Sequence, residues 1–196
     1  MMKISLGRNE LLYFANSLPG FCDIDLSRIS SVFIAQVMQL YYGRVINIFN
    51  IIDRVKSLEG IMESSCIKDE GVFLYEPLKG LMKAHFTNAR FIFKNIKNQW
   101  GSDKYMGKTI NKAFHNNKSE YVDDDLINYI SYQLAIGAYD KKIKGKAITG
   151  EWIIFQKYQG KNYYLTLGYH SEGDKNIYKR VCVAYEQDFS FLKNEL

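Results

Sequence analysis

Apolar residues recur at spacings of three and four along most of the chain and change to a two-residue alternation only near its end. The segment from Arg8 to Ser17 predicts a short helix, stopped by the turn pair Pro19-Gly20. Asp23 or Asp25 can cap the next segment, which runs to about Leu58 and closes at Gly60. Ile29, Val32, Phe33, Val37, Leu40, Ile48, Ile52 and Val55 give that segment a wide apolar face, suited to the centre of a core or to a dimer. Gly43 marks a close approach or a break within it. Residues 61–76 read as a connector with a short strand at 71–75. Pro77 suits the first turn of a helix. Leu78, Leu81, Met82, His85, Ala89, Ile92 and Ile96 then trace one helical face up to about Trp100. Further helices are expected from 103 to about 114 and from 124 to about 138, joined by polar connectors.

From Gly150 the period changes. Residues 152–158 and 162–170 are β-rich runs joined at Gln159-Gly160-Lys161, a hairpin signal. A helix carrying Ile177, Val181, Ala184 and Tyr185 closes the chain. The fold class is therefore α+β: a predominantly helical body over 1–148, then a C-terminal β-hairpin and closing helix over 149–196, read as one domain. On the second strand Tyr163, Leu165, Leu167 and Tyr169 share the core parity, which puts Tyr164, Thr166 and His170 on a more polar face.

Composition narrows the class. With 47% hydrophobic and 24% charged residues the chain is of ordinary globular type rather than disordered. Cys22, Cys66 and Cys182 are widely separated and form no CxxC pair, which argues against a disulfide framework and a cysteine zinc site. The start lacks a secretory pattern, and the longest apolar stretch, near Val32 to Ile52, is interrupted by Gln36, Gln39, Arg44 and Asn47. A cytoplasmic protein with no membrane partner is expected. The net charge of +5 is uneven: nine basic residues against one acid lie between Lys79 and Lys118, which points toward a polyanion.

Neither GxxxxGK[ST] nor a strand-anchored GxGxxG occurs, and GxSxG, HExxH and EF-hand patterns are missing as well. A P-loop ATPase, a Rossmann oxidoreductase and a zincin are thereby disfavoured, and no cofactor is expected. His170, Glu172 and Asp174 alternate, but a helix N-cap explains Asp174 more simply than a metal, so no metal is expected.

Acid–base chemistry near neutral pH has three histidines to draw on. His85 lies on an apolar face, His170 at a strand-to-helix junction, and His115 in a polar connector. RNA cleavage needs a base on the 2′-OH, an acid at the leaving oxygen and cations for the developing charge. That chemistry assigns proton transfer to His85 and His170, electrostatic roles to Lys83, Lys157 and Arg180, and phosphate positioning to Tyr164 and Thr166. A basic ridge of Lys79, Arg90, Lys94 and Lys97 would hold the nucleic-acid backbone. The assignment asks for the two imidazoles within about 10 Å of each other, facing one cleft with cations around it. Two other readings fit the same residues. One is a non-enzymatic interaction protein, such as a defence-system or immunity component, with an aromatic surface or a homodimer through the long helix ending near Leu58. The other is a nucleic-acid binder without turnover.

The run Thr149-Gly-Glu-Trp-Ile-Ile-Phe, then Gly160-Lys-Asn-Tyr-Tyr-Leu-Thr-Leu with His170 and 174–178, resembles the ending of a family of uncharacterised bacterial proteins. Pro77-Leu-Lys-Gly-Leu-Met-Lys-Ala-His85-Phe is similar to that family's middle segment. More distantly, helices followed by a compact hairpin with polar strand residues resemble the barnase, EndoU, colicin and RelE ribonuclease toxins. That resemblance implies a metal-independent ribonuclease using scattered His, Lys, Arg, Tyr and Thr residues on a sheet of four or five strands. The sequence itself supplies two or three.

Overall fold

The computed structural model describes residues 6–44, 46–63, 69–87, 91–101, 103–117, 121–145 and 150–193. The chain divides into two compact units, one of Met1–Ser65, Asp69–Thr87 and Gly150–Leu196, the other of Cys66–Lys68 and Asn88–Thr149. Residues 88–149 of the second lie in the sequence between two paired strands of the first.

The first unit is α+β. It holds α1 (Arg8–Ser17), α2 (Ser31–Tyr42), α3 (Phe49–Leu58), β1 (Gly71–Val72) and β2 (Met82–Phe86). The second unit contributes the next four helices, and the first then resumes with β3 (Glu151–Tyr158), β4 (Lys161–Gly168) and the eighth α-helix, α8 (Asp174–Gln187). The four strands form one antiparallel sheet in the order β1-β2-β3-β4, two more than the hairpin alone. Ala84, Phe86, Ile153, Phe155, Tyr164 and Leu167 pack with α1, α2 and α3. Phe73, Ile154 and Leu165 pack with Ile177, Val181, Ala184 and Tyr185 of α8. Helices thus cover both faces of the sheet, and the first three helices share its core instead of forming a body apart.

Three sequence expectations change. The helix predicted over 77–100 is instead a turn, strand β2 and then a helix from Ile92. Gly80 has φ +87°, and bonds from Phe73 N to Leu81 O and from Gly80 N to Phe73 O turn the chain back into the sheet. A strand inside a sheet covered on both faces loses its polar alternation, and the residual three-and-four spacing imitates a helix. The long segment ending at Leu58 is two helices. Asp25 caps a short 3-10 turn, Leu26–Arg28, while Ser30 caps α2, its hydroxyl accepting from Phe33 N at 3.0 Å, and Arg44 at φ +51° ends that helix's path. The apolar face of both pieces is spent on the unit's own core. Finally, Tyr164 and Thr166 do not line an open polar face: they are 1% and 0% exposed. A bulge opposite Ile154 and Phe155 makes Leu165 the extra residue on β4, so Tyr164 packs into the core with α1 to α3 while Thr166 is met by Arg180 of α8.

The outer edge of β4 is occupied by residues 28–36. Ser30 N donates to Tyr164 O at 2.9 Å, Ser30 Oγ to Leu165 O at 2.6 Å, and Gln36 both accepts from Leu167 N and donates to Leu167 O. These side chains take the place of a fifth strand.

Glu59 joins this edge to the core. It accepts from the Tyr164 hydroxyl at 2.7 Å and from Asn162 Nδ2 at 3.1 Å, and it pairs with Arg28. Burial pushes its carboxyl up, but hydrogen bonds from Arg28, Tyr164 and Asn162 outweigh this and hold it below the ordinary carboxylate range. Burial, aided by the Glu59 charge, pushes the Tyr164 phenol up, so that it stays a donor. A depressed folded-state carboxyl gives stability that is present above the unfolded value, about 4.3, and lost as pH falls through the folded one. Glu59→Gln is therefore expected to cost about 2 kcal/mol at pH 7 and to flatten the acid limb of the stability curve, as read by urea unfolding from pH 7 to 3. An unchanged acid limb would remove Glu59 from this role.

The second unit is helical where described: α4 (Ile92–Trp100), α5 (Asp103–Asn116), α6 (Asp124–Tyr132), a π-turn (Gln133–Gly137) and α7 (Ala138–Lys144). Asp123 caps α6, its carboxylate accepting from Leu126 N at 2.8 Å. The Trp100 indole donates to Leu134 O at 2.8 Å, which ties α4 to the π-turn.

Candidate functional site

Strand register builds the site. In the β2–β3 pair His85 stands opposite Trp152, and in the β3–β4 pair Trp152 stands opposite Gly168. The glycine leaves space there: a Cβ at 168 would lie 2.8 Å from Ile154 Cδ1 and 3.5 Å from the Trp152 ring. Two residues beyond, His170 folds its ring over the same tryptophan, with centroids 4.1 Å apart. The result is a cluster in which the His85 and His170 rings lie 6.0 Å apart at an interplanar angle of 25°. The two imidazoles fall within the distance the assignment asks for, against a tryptophan that the sequence reading did not place in the site.

Hydrogen bonds assign the two rings different tautomers. The Trp152 indole donates to His85 Nε2 at 3.1 Å, so in this state that nitrogen is unprotonated and the ring proton sits on Nδ1. His170 Nε2 lies 2.9 Å from Gly150 O, which can only accept, so Nε2 is the donor and the neutral tautomer has its lone pair on Nδ1. The buried Glu151 carboxylate takes the His170 backbone N–H at 2.7 Å. His85 is 8% exposed, whereas His170 faces solvent.

Lys83, two positions before His85 on β2, sends its ammonium to 4.4 Å from the Phe73 ring centroid and 5.3 Å from that of Trp152. It is the cation the structure brings to the cluster. Arg180 braces the site without entering it. Its guanidinium donates to Thr166 Oγ1, Leu167 O and Glu172, and Glu172 in turn accepts from Tyr169 N at 2.7 Å, which fixes the turn that carries His170.

The remaining sequence candidates lie elsewhere. Lys157 stands at the hairpin end of β3, paired with Glu70, five residues and roughly 17 Å along the strand from Trp152. Tyr164 is engaged by Glu59, and Thr166 is hydrogen-bonded to Gln36. The basic ridge is not one helix face: Lys79 precedes β2 in the first unit, Lys94 and Lys97 are exposed on α4 of the second, and Arg90 lies outside the described residues. His115 is exposed near the end of α5. The helix at 174 is capped by Gly173, with Asp174 as an acid in its first turn. Trp152, Gly150, Glu151 and Gly168 are the site residues that sequence reasoning missed. The signal that finds them is strand register, which depends on β2 being a strand.

No family model, curated protein or solved structure matches the chain.

Proposed function

We propose that the chain is an RNA-directed protein of the ribonuclease-toxin type, cleaving phosphodiesters by acid–base chemistry of His85 and His170 without a metal. The observation that carries this reading is the 6.0 Å approach of the two rings, with their tautomers set differently by neighbouring groups. His170 Nδ1 takes the 2′-hydroxyl proton as the 2′-oxygen attacks phosphorus. The bond from phosphorus to the 5′-oxygen breaks, and His85 protonates that oxygen, leaving a 2′,3′-cyclic phosphate and a 5′-hydroxyl. His85 serves as acid in its imidazolium form, in which both ring nitrogens donate and the Trp152 N–H has to turn aside. Lys83 offsets the charge gathering on the phosphorane. Glu151, Glu172 and Arg180 hold the His170 turn in place and touch no reacting atom.

The test is a time course on end-labelled RNA with a metal chelator present, comparing the parent chain with His85→Ala and His170→Ala. Cleavage that survives chelation and is lost in both variants supports the reading. Cleavage indifferent to both substitutions overturns it. RNA binding without any turnover would favour a binder built on the same cluster.

A further inference from the structure

The helical unit carries a second cluster, far from any histidine chemistry in its residue types. Tyr105, Lys108, Lys112, Tyr129, Gln133 and Lys141 line a pocket of about 330 Å³, together with Thr109 and Gly137. No acid is among the lining residues.

The local structure explains how these side chains converge. Tyr105, Lys108, Thr109 and Lys112 follow a spacing of three, four and seven along α5 and so share one face. Tyr129, Gln133, Gly137 and Lys141 repeat every four residues across α6, the π-turn and α7. On a helix of 3.6 residues per turn a four-residue repeat drifts steadily around the axis. The wider π-turn counters that drift and keeps the four positions on the pocket side. Gly137 adds room: a Cβ there would lie 2.7 Å from Gln133 Oε1, so the glycine is what lets the Gln133 amide lie where it does. Lys141 Nζ stands 5.0 Å from the Tyr105 ring centroid.

Three lysines and no carboxylate line this one pocket, and none of the three lysines is ion-paired among the described residues. A concave lining of one sign of charge favours an anion. Two tyrosine rings beside the cations supply flat faces for a base. We propose that this pocket binds the phosphate of a nucleotide unit, with its base against Tyr105 or Tyr129. The pocket stands on its own residues; only the choice of RNA as the source of the phosphate rests on the functional reading above.

The experiment uses the full chain. Fluorescence anisotropy of a labelled single-stranded oligoribonucleotide is followed across a salt series, and calorimetry is run with AMP and with inorganic phosphate. The triple variant Lys108→Gln/Lys112→Gln/Lys141→Gln is compared with Lys175→Gln/Lys179→Gln/Lys193→Gln, which removes the same charge from exposed positions of the other unit. The pocket variant is expected to bind at least 10-fold more weakly, with a salt slope flatter by about 2, while the control stays close to the parent. Tyr105→Leu should weaken AMP and RNA but spare inorganic phosphate. RNA bound without AMP identifies a strand as the ligand. AMP bound without RNA upholds the pocket and removes the RNA-directed reading. Equal losses in the two triple variants, an unaffected pocket variant, or no binding of any phosphate probe by the parent would each overturn the proposal.

Discussion

Gly150→Ala is expected to destabilise the first unit by about 3 kcal/mol or more, the upper range for overpacking a filled interior. A Cβ at position 150 would sit 1.8 Å from Phe86 O, 2.7 Å from Phe86 C and 3.2 Å from Thr87 Cα. All three are backbone atoms, so no side-chain rotation relieves the clash. The strands at the start of β3 have to separate, and Phe86, fully buried opposite Glu151, loses its seat. The Gly150 carbonyl also holds the His170 ring, so the site is lost with the pairing. Denaturant unfolding of the purified variant measures this, and a change below about 0.5 kcal/mol, ordinary for a surface substitution, would show that the close approach is not a constraint.

The second large effect concerns the imidazoles. Removal of a general acid or base typically costs 10²- to 10⁴-fold in rate, so His170→Ala and His85→Ala should each lower RNA cleavage by about that factor. Because the two rings act on one phosphate, the double variant should be little worse than either single one. The exposed His170 can be removed with little effect on folding, whereas His85 is buried against Trp152. His85→Gln, which keeps an acceptor for the indole, is therefore the better comparison for that position. Multiplicative losses would mean that the two rings act in separate events, and the shared-phosphate arrangement would have to be abandoned.

How far the sequence spoke for the structure depended on where each element lies. The hairpin was legible because Gln159-Gly160 is a turn signal and both flanking runs are rich in β-branched and aromatic residues; Gln159 at φ +49° and Gly160 at φ +75° form that turn. Helices α1 and α8 were legible from one-sided periodicity. Strand β2 was not, since Ala84, His85 and Phe86 are consecutive and all buried, leaving no alternation to read. That one misassignment hid the site, because only strand pairing brings His85 to Trp152 and His170. The candidate histidines were found by chemistry, as the scarce residues able to move protons near neutral pH. Their partners were not, because Gly150 and Gly168 act through backbone proximity and Glu151 through a carboxylate bond to a distant backbone N–H, none of which a local pattern encodes.

Placing the segment 88–149 between β2 and β3 makes it, topologically, the loop of a hairpin whose stems are already aligned by Phe86 facing Glu151. Lengthening such a loop is inexpensive, roughly 0.6 kcal/mol of closure entropy for each doubling. Evolution can thus trade the intervening helices for others, along with whatever they recognise, without disturbing the alignment that sets two imidazoles against one indole.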